Sequence, residues 1–250
     1  MRKSLSRIFV LTKRNIKEIL RDPLSLSFAV GLPLLLEILF YFIFHKMTDQ
    51  FEMKYLAPGI VVFSESFLTL FTGILISVDR NTSFLTRLYV SKAKSYEFIF
   101  GYALSVLPIS IVQSILFFLV GGIIDPSIFS VNMLLAILLS LFTSLFFIAF
   151  GILFGSICNE KSIGGVASIL ICGQSVLSGM WFPIEGMGDG IKTFLKVLPF
   201  KNATSLIQNT VNGLSNAFDD FLLPLIILAP YTIVAFICAI VVFKNKMKAK

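Results

Sequence analysis

Two carboxylates, Glu37 and Glu65, stand inside long apolar runs of this 250-residue chain. A charge at the centre of a bilayer costs about 2.5–3.5 kcal/mol or more, so each must face protein, face a wet cavity or carry a proton. Two chemistries fit them: a site for a cationic substrate or a proton, or polar glue between helices. Other reactive residue types are sparse. His45 is the only histidine, and no G-x-S-x-G accompanies it, so a Ser–His nucleophile has no support. Ligands for metal-assisted hydrolysis are lacking as well. Cys158, Cys172 and Cys238 stand far apart, without the paired spacing of a zinc site or a disulfide framework, and read as small membrane-buried residues. No Gly-Lys dipeptide occurs, so the phosphate-cradling P-loop is absent.

A second kind of chemistry, recognition rather than reaction, resides in VDRNTSFLTRLYVSKAKSYEFIFGY (78 to 102), which interrupts the apolar runs. A helix from Arg80 to about Tyr96 places Phe84, Leu85, Leu88 and Tyr89 on one face. Arg80, Arg87 and Lys94 recur every seventh residue on another. One reading is a loop whose charges fix topology. The other is a stiff element whose apolar face is gripped by a partner that pushes on the flanking spans.

The elements that position these residues follow from composition. With 56% hydrophobic and 14% charged residues, the chain is far from the roughly 25% charged of a soluble domain. Continuous apolar runs predict six membrane-spanning helices near 24–44, 56–78, 98–124, 131–157, 163–182 and 221–243. The runs do not alternate as barrel strands would. The span limits put Glu37 and Glu65 in the outer half of the bilayer, where they can meet. Sixteen of the 21 Lys and Arg fall on the side that carries both termini and residues 79–97, which places that side in the cytoplasm. The net charge of +7 is spread between and outside the spans, so no module is organised for nucleic acid.

Residues 1–22 form an amphipathic interfacial helix. Ile8, Phe9, Thr12, Ile16, Ile19 and Leu20 share one face, and Lys3, Arg7, Arg14, Lys17 and Arg21 face anionic lipid or water. Asp22-Pro23 ends it and caps the first span. Residues 183–220 are too polar to span, and Ile191, Phe194, Leu195 and Leu198 predict a pair of short helices in or on the outer leaflet. Asn202-Ala203-Thr204 matches a glycosylation acceptor by chance. Gly151 and Gly155 in the fourth span, and Gly164, Gly165 and Ser168 in the fifth, permit close helix approach, either within one subunit or at a subunit seam.

The order of basic interfacial helix, Asp-Pro, first span, and then Asp79, Arg80, Leu85, Leu88, Val90 and Ser91 resembles the membrane subunits of type-2 ATP-binding-cassette exporters, the drug, lipid and polysaccharide-export permeases. Their stretch after the second span reads like E-R-x-x-G-T-L-E-x-L-x-V-S-P. Here Ser83 replaces the Gly, Phe84 the Thr, Thr86 the Glu and Lys92 the Pro. Ser178, Gly179, Phe182 and Pro183, with Leu198 and Pro199, are similar to the family's outer S-G-x-x-F-P and L-P.

The resemblance implies one all-α permease domain over 1–250 in the inner or plasma membrane, with both termini cytoplasmic. It has six spans, the interfacial helix, a cytoplasmic coupling helix within 79–97 and a re-entrant outer segment over 183–220. Asp79, Arg80, Phe84, Leu85, Arg87 and Leu88 would couple to a separate cytosolic ATPase that carries ATP and Mg, and this chain would hold no cofactor. A second copy or a homologous permease would complete the pathway. The substrate would be amphiphilic or hydrophobic: a drug, a peptide antibiotic or a lipid-linked glycan. From the residues alone, a channel or secondary carrier using Glu37 and Glu65, or a membrane sensor or assembly protein, remains open.

Overall fold

The computed structural model describes residues 2–82, 94–182 and 188–248, and every regular element among them is helical. The α-helices in chain order are α1 (Arg2–Ile19), α2 (Pro23–Phe44), α3 (Met53–Asn81), α4 (Ser95–Ile124), α5 (Val131–Ile157), α6 (Glu160–Leu177), α7 (Asp189–Val197), α8 (Pro199–Asn212) and α9 (Leu223–Lys248), with short 3-10 turns at Asp49–Phe51 and Pro126–Ile128. A π-turn over Phe218–Leu222 leads into α9. Five of them are long and apolar enough to cross a membrane: α2, α3, α4, α5 and the unit Phe218–Asn245. The region expected as the fifth span forms α6, which carries Glu160 and Lys161 in its first turn and Gln174 in its last.

Local sequence explains where the helices begin. Asp22 caps α2 by accepting a hydrogen bond from the Ser25 amide at 3.2 Å, and Pro23 occupies the first position, where its missing N–H costs nothing. Asn159 caps α6 through the Ser162 amide at 2.9 Å. Gly213, with φ of 84°, ends α8 in a conformation that a side chain would strain.

Tertiary packing makes α3 the spine of the bundle. Its most apolar stretch is 83% buried, against 17% for α2 and 22% for the last span. The α3–α5 contact is close because Gly151 and Gly155 have no side chains there, while the bare Gly73 admits Ile163 of α6. A Cβ on Gly155 would stand 2.7 Å from the Gly73 carbonyl oxygen, and one on Gly151 would stand 2.8 Å from that of Thr69. The α5 glycine pair therefore serves packing within the subunit. On α6 the outcome is opposite, for a Cβ on Gly164 or Gly165 meets nothing within 4 Å.

The core divides into two clusters. One contains Met53, Leu56, Ile60, Phe117, Phe146 and Ile207, and the other Leu68, Ile76, Phe98, Tyr102, Ile152 and Phe243. Many phenylalanines are thus core residues. Helix α8 packs into the bundle, with Ala203, Thr204, Leu206 and Ile207 buried. Gln208 donates to the Tyr55 carbonyl at 2.8 Å, and Gln174 donates to the Thr204 hydroxyl at 2.9 Å. Asn202 is 6% exposed and donates to the carbonyls of Lys196 and Leu198, so it cannot accept a glycan. Among the cysteines, Cys172 and Cys238 are exposed on the helix surface and Cys158 is half-buried.

Candidate functional site

Asp79 lies in the last turns of α3 and is fully buried. A buried carboxylate needs a charged partner and further donors. Arg14 of α1 supplies two parallel hydrogen bonds, Nη1 to Oδ2 and Nη2 to Oδ1, the latter at 2.6 Å. The Tyr102 hydroxyl of α4 donates to Oδ2 at 2.7 Å. Arg14 also pairs with Glu18 at 2.6 Å. Burial works to lower the Arg14 pKa, but the hydrogen bond and charge of Asp79, with the charge of Glu18, outweigh it and leave the pKa raised. The guanidinium is fixed as a cation. Burial is also the leading cause that raises the Glu18 pKa, opposed by Arg14.

A second pair lies two turns earlier on α1, where Arg7 meets Glu97 of α4 at 3.2 Å. Glu97 is 2% exposed and also accepts from the Lys94 amide at 3.1 Å, capping α4. Leu11 packs on Gly101, whose missing Cβ makes room for it. Arg7 and Arg14 are seven residues apart, about two helical turns, so one stripe of α1 reaches both helices that flank residues 83–93.

This arrangement corrects the expected sorting of α1. Arg7 and Arg14 turn toward the bundle rather than toward lipid headgroups or water alone. Phe9 and Leu20 are 69% and 65% exposed, whereas Asn15 and Ile19 are buried. Arg80 departs too. It belongs to the last turn of α3, which ends at Asn81, whereas Lys94 precedes α4, and it donates to the Gly155 and Cys158 carbonyls at 2.8 and 3.1 Å. Those carbonyls close the C-terminal end of α5, where the helix dipole favours a cation. Phe84, Leu85, Arg87, Leu88 and Pro183 lie outside the described residues.

Glu37 and Glu65 are both fully buried, but they do not meet. Glu65 accepts from the Thr143 hydroxyl at 2.6 Å and the Ser110 hydroxyl at 3.4 Å. Glu37 lies against Gly121 and has no hydrogen-bond partner for either oxygen among the described residues. The Gly121 neighbourhood includes Ala57, eight residues before Glu65 on α3, so the two carboxylates sit about 12 Å apart along that helix. The span limits missed this offset because they fix depth only to within a turn or two.

At the other end of the bundle, Ser178 follows α6 and its hydroxyl accepts from the Met180 amide at 3.2 Å. Gly179 turns the chain with φ of 73°. Gln50 donates to the carbonyls of Gly179 and Met180 at 2.7 and 3.2 Å. Trp181 packs edge-on against Phe40 at 4.7 Å, while Phe182 is 55% exposed.

Arg7, Arg14, Tyr102 and Glu97 were not legible as site residues. One signal was available: Asp79 and Glu97 are the only acidic residues between Glu65 and Asp125, one at each border of the basic segment.

No curated protein matches the chain. The family model described as ABC-2 type transporter matches residues 6–212, a range that begins on α1, takes in both ion pairs and ends at the last residue of α8. With most of its length matched, the all-helical, multi-pass membrane chain belongs to the ABC-2 type transporter family, the transmembrane component that works with an ABC ATPase subunit.

Proposed function

We propose that the chain is the permease subunit of an ATP-driven exporter, powered by a separate cytosolic ATPase that carries ATP and Mg. The observation that supports this most is that α1 is ion-paired to both helices flanking residues 83–93, through Arg14–Asp79 and Arg7–Glu97. A segment held at both borders by one rigid helix transmits force instead of absorbing it. The ATPase docks on Phe84, Leu85, Arg87 and Leu88 as a coupling helix, and its closure on ATP moves that segment. Helices α3 and α4 follow, and α1 braces the motion.

In this reading α6 completes six spans, both termini are cytoplasmic, and α7 rests in the outer leaflet of the inner or plasma membrane through exposed Ile191, Phe194 and Val197. A second copy packs on the open Gly164–Gly165 face of α6. The cargo is amphiphilic. Photo-crosslinkers placed at Phe84, Arg87 and Leu88 in native membranes test the docking. Adducts to an ATP hydrolase are expected at these sites and not at Phe182. Adducts to lipid alone, or labelling of the segment by a membrane-impermeant reagent added outside the cell, would remove the proposal.

A further inference from the structure

Among the buried ionisable groups, Glu37 alone combines complete burial with the absence of any described hydrogen-bond partner. Asp79 has Arg14 and Tyr102, Glu97 has Arg7 and its own helix terminus, and Glu65 has two hydroxyls. A buried orphan polar group requires an explanation, because leaving it unmatched is costly. Glu65 reads as glue between α3, α4 and α5. Glu37 glues nothing.

Its surroundings narrow what it can bind. Phe40 and Phe44 follow it at i+3 and i+7, on the same face of α2. Their rings gather with Phe51 and Trp181: Phe40–Trp181 at 4.7 Å, Phe40–Phe51 at 5.8 Å and Phe44–Phe51 at 5.2 Å. The carboxylate lies against Gly121, in a neighbourhood that includes Ala57 and Ile128. A bare metal cation needs about six oxygen ligands, and one carboxylate among apolar groups does not supply them. No group of three or more potential ligands occurs among the described residues. An alkylammonium needs one carboxyl group that can ionise against it and nearby aromatic rings, and Glu37 with the ring cluster offers this set.

We infer that Glu37, with the aromatic cluster one to two turns above it, recognises an organic ammonium group on an amphiphilic substrate. The inference rests on the transport reading above and specifies its cargo. Access is through movement of α2, which buries Ala29, Pro33 and Glu37 and packs Val30, Leu34 and Phe40 against the core. Its opposite side, including Leu35, Phe42 and Ile43, is exposed.

Trp181 is the only tryptophan, so its emission reports on this cluster. The purified chain in lipid nanodiscs is titrated with dodecyltrimethylammonium, with dodecanol as the uncharged control and empty discs subtracted. A saturable change is expected with the ammonium and not with dodecanol. Glu37→Gln is expected to weaken the ammonium at least tenfold, whereas Glu65→Gln shifts it less than twofold. Should Glu37→Gln fail to assemble, Glu37→Asp and Phe40→Leu serve in its place, each expected to weaken the ammonium about fivefold. No saturable change in the unmodified chain, or equal affinity in it and in the assembled Glu37 and Phe40 variants, overturns the inference. The titration uses no ATPase, so its outcome is independent of whether a motor docks on residues 83–93.

Discussion

Arg14 and Asp79 lie 65 positions apart in sequence and form a two-pronged ion pair whose carboxylate is wholly buried and whose guanidinium is one-third exposed. The pair ties α1 to the end of the central helix, α3. Residues 83–93 follow immediately.

Removing one partner leaves the other charge buried. Arg14→Ala is therefore expected to lower stability by about 3 kcal/mol, near the low end for a broken buried pair because Arg14 keeps some solvent. Arg14→Ala with Asp79→Asn eliminates the orphan charge and should regain at least a third of that loss. Thermal unfolding in detergent compares them. A double variant no more stable than Arg14→Ala contradicts the burial argument.

The α3–α5 seam predicts a contrast between glycines of the same chain. Gly155→Ala drives a methyl group into the Gly73 backbone and should cost about 1–3 kcal/mol, whereas Gly164→Ala meets open space and should leave the isolated subunit's stability unchanged within about 0.5 kcal/mol. Melting temperatures of the two variants in monomeric detergent preparations decide it.

Cys172 is exposed and lies two turns beyond Gly165 on α6. If a second copy covers this face, a short bifunctional maleimide should link two chains through Cys172 in a Cys158→Ser, Cys238→Ser background. Only monomeric bands at protein concentrations that support transport would place the seam elsewhere.

Glu65 anchors α3 to α5 as an acceptor. Glu65→Gln keeps a carbonyl oxygen for the Thr143 hydroxyl and should change stability by less than about 1 kcal/mol. Glu65→Ala removes the acceptor and leaves a cavity, and about 2–4 kcal/mol should be lost. Equal losses in the two variants would show that the negative charge itself is needed.

Run length and hydropathy made the helices legible. The expected spans 24–44 and 131–157 coincide with Pro23–Phe44 and Val131–Ile157 to within one residue. The Asp22-Pro23 boundary was equally clear, because capping depends on adjacent residues. The α6 helix ended earlier than its apolar run suggested, since Gly179 turns the chain where the carbonyls of residues 179 and 180 meet Gln50.

The sequence by itself determined the solvent of this protein, the lengths of its helices and the presence of a basic helix ahead of the first span. These depend on composition and on neighbours within a few residues. Tertiary structure decided which charges are matched and which are not. Arg7 finds Glu97 90 positions away, and Glu65 finds Thr143 78 positions away, while Glu37 finds none among the described residues. Pairing of this kind depends on how each helix is rotated about its axis and on which distant helix comes to lie against it. Both are outcomes of packing a whole bundle, which no local pattern of residues encodes.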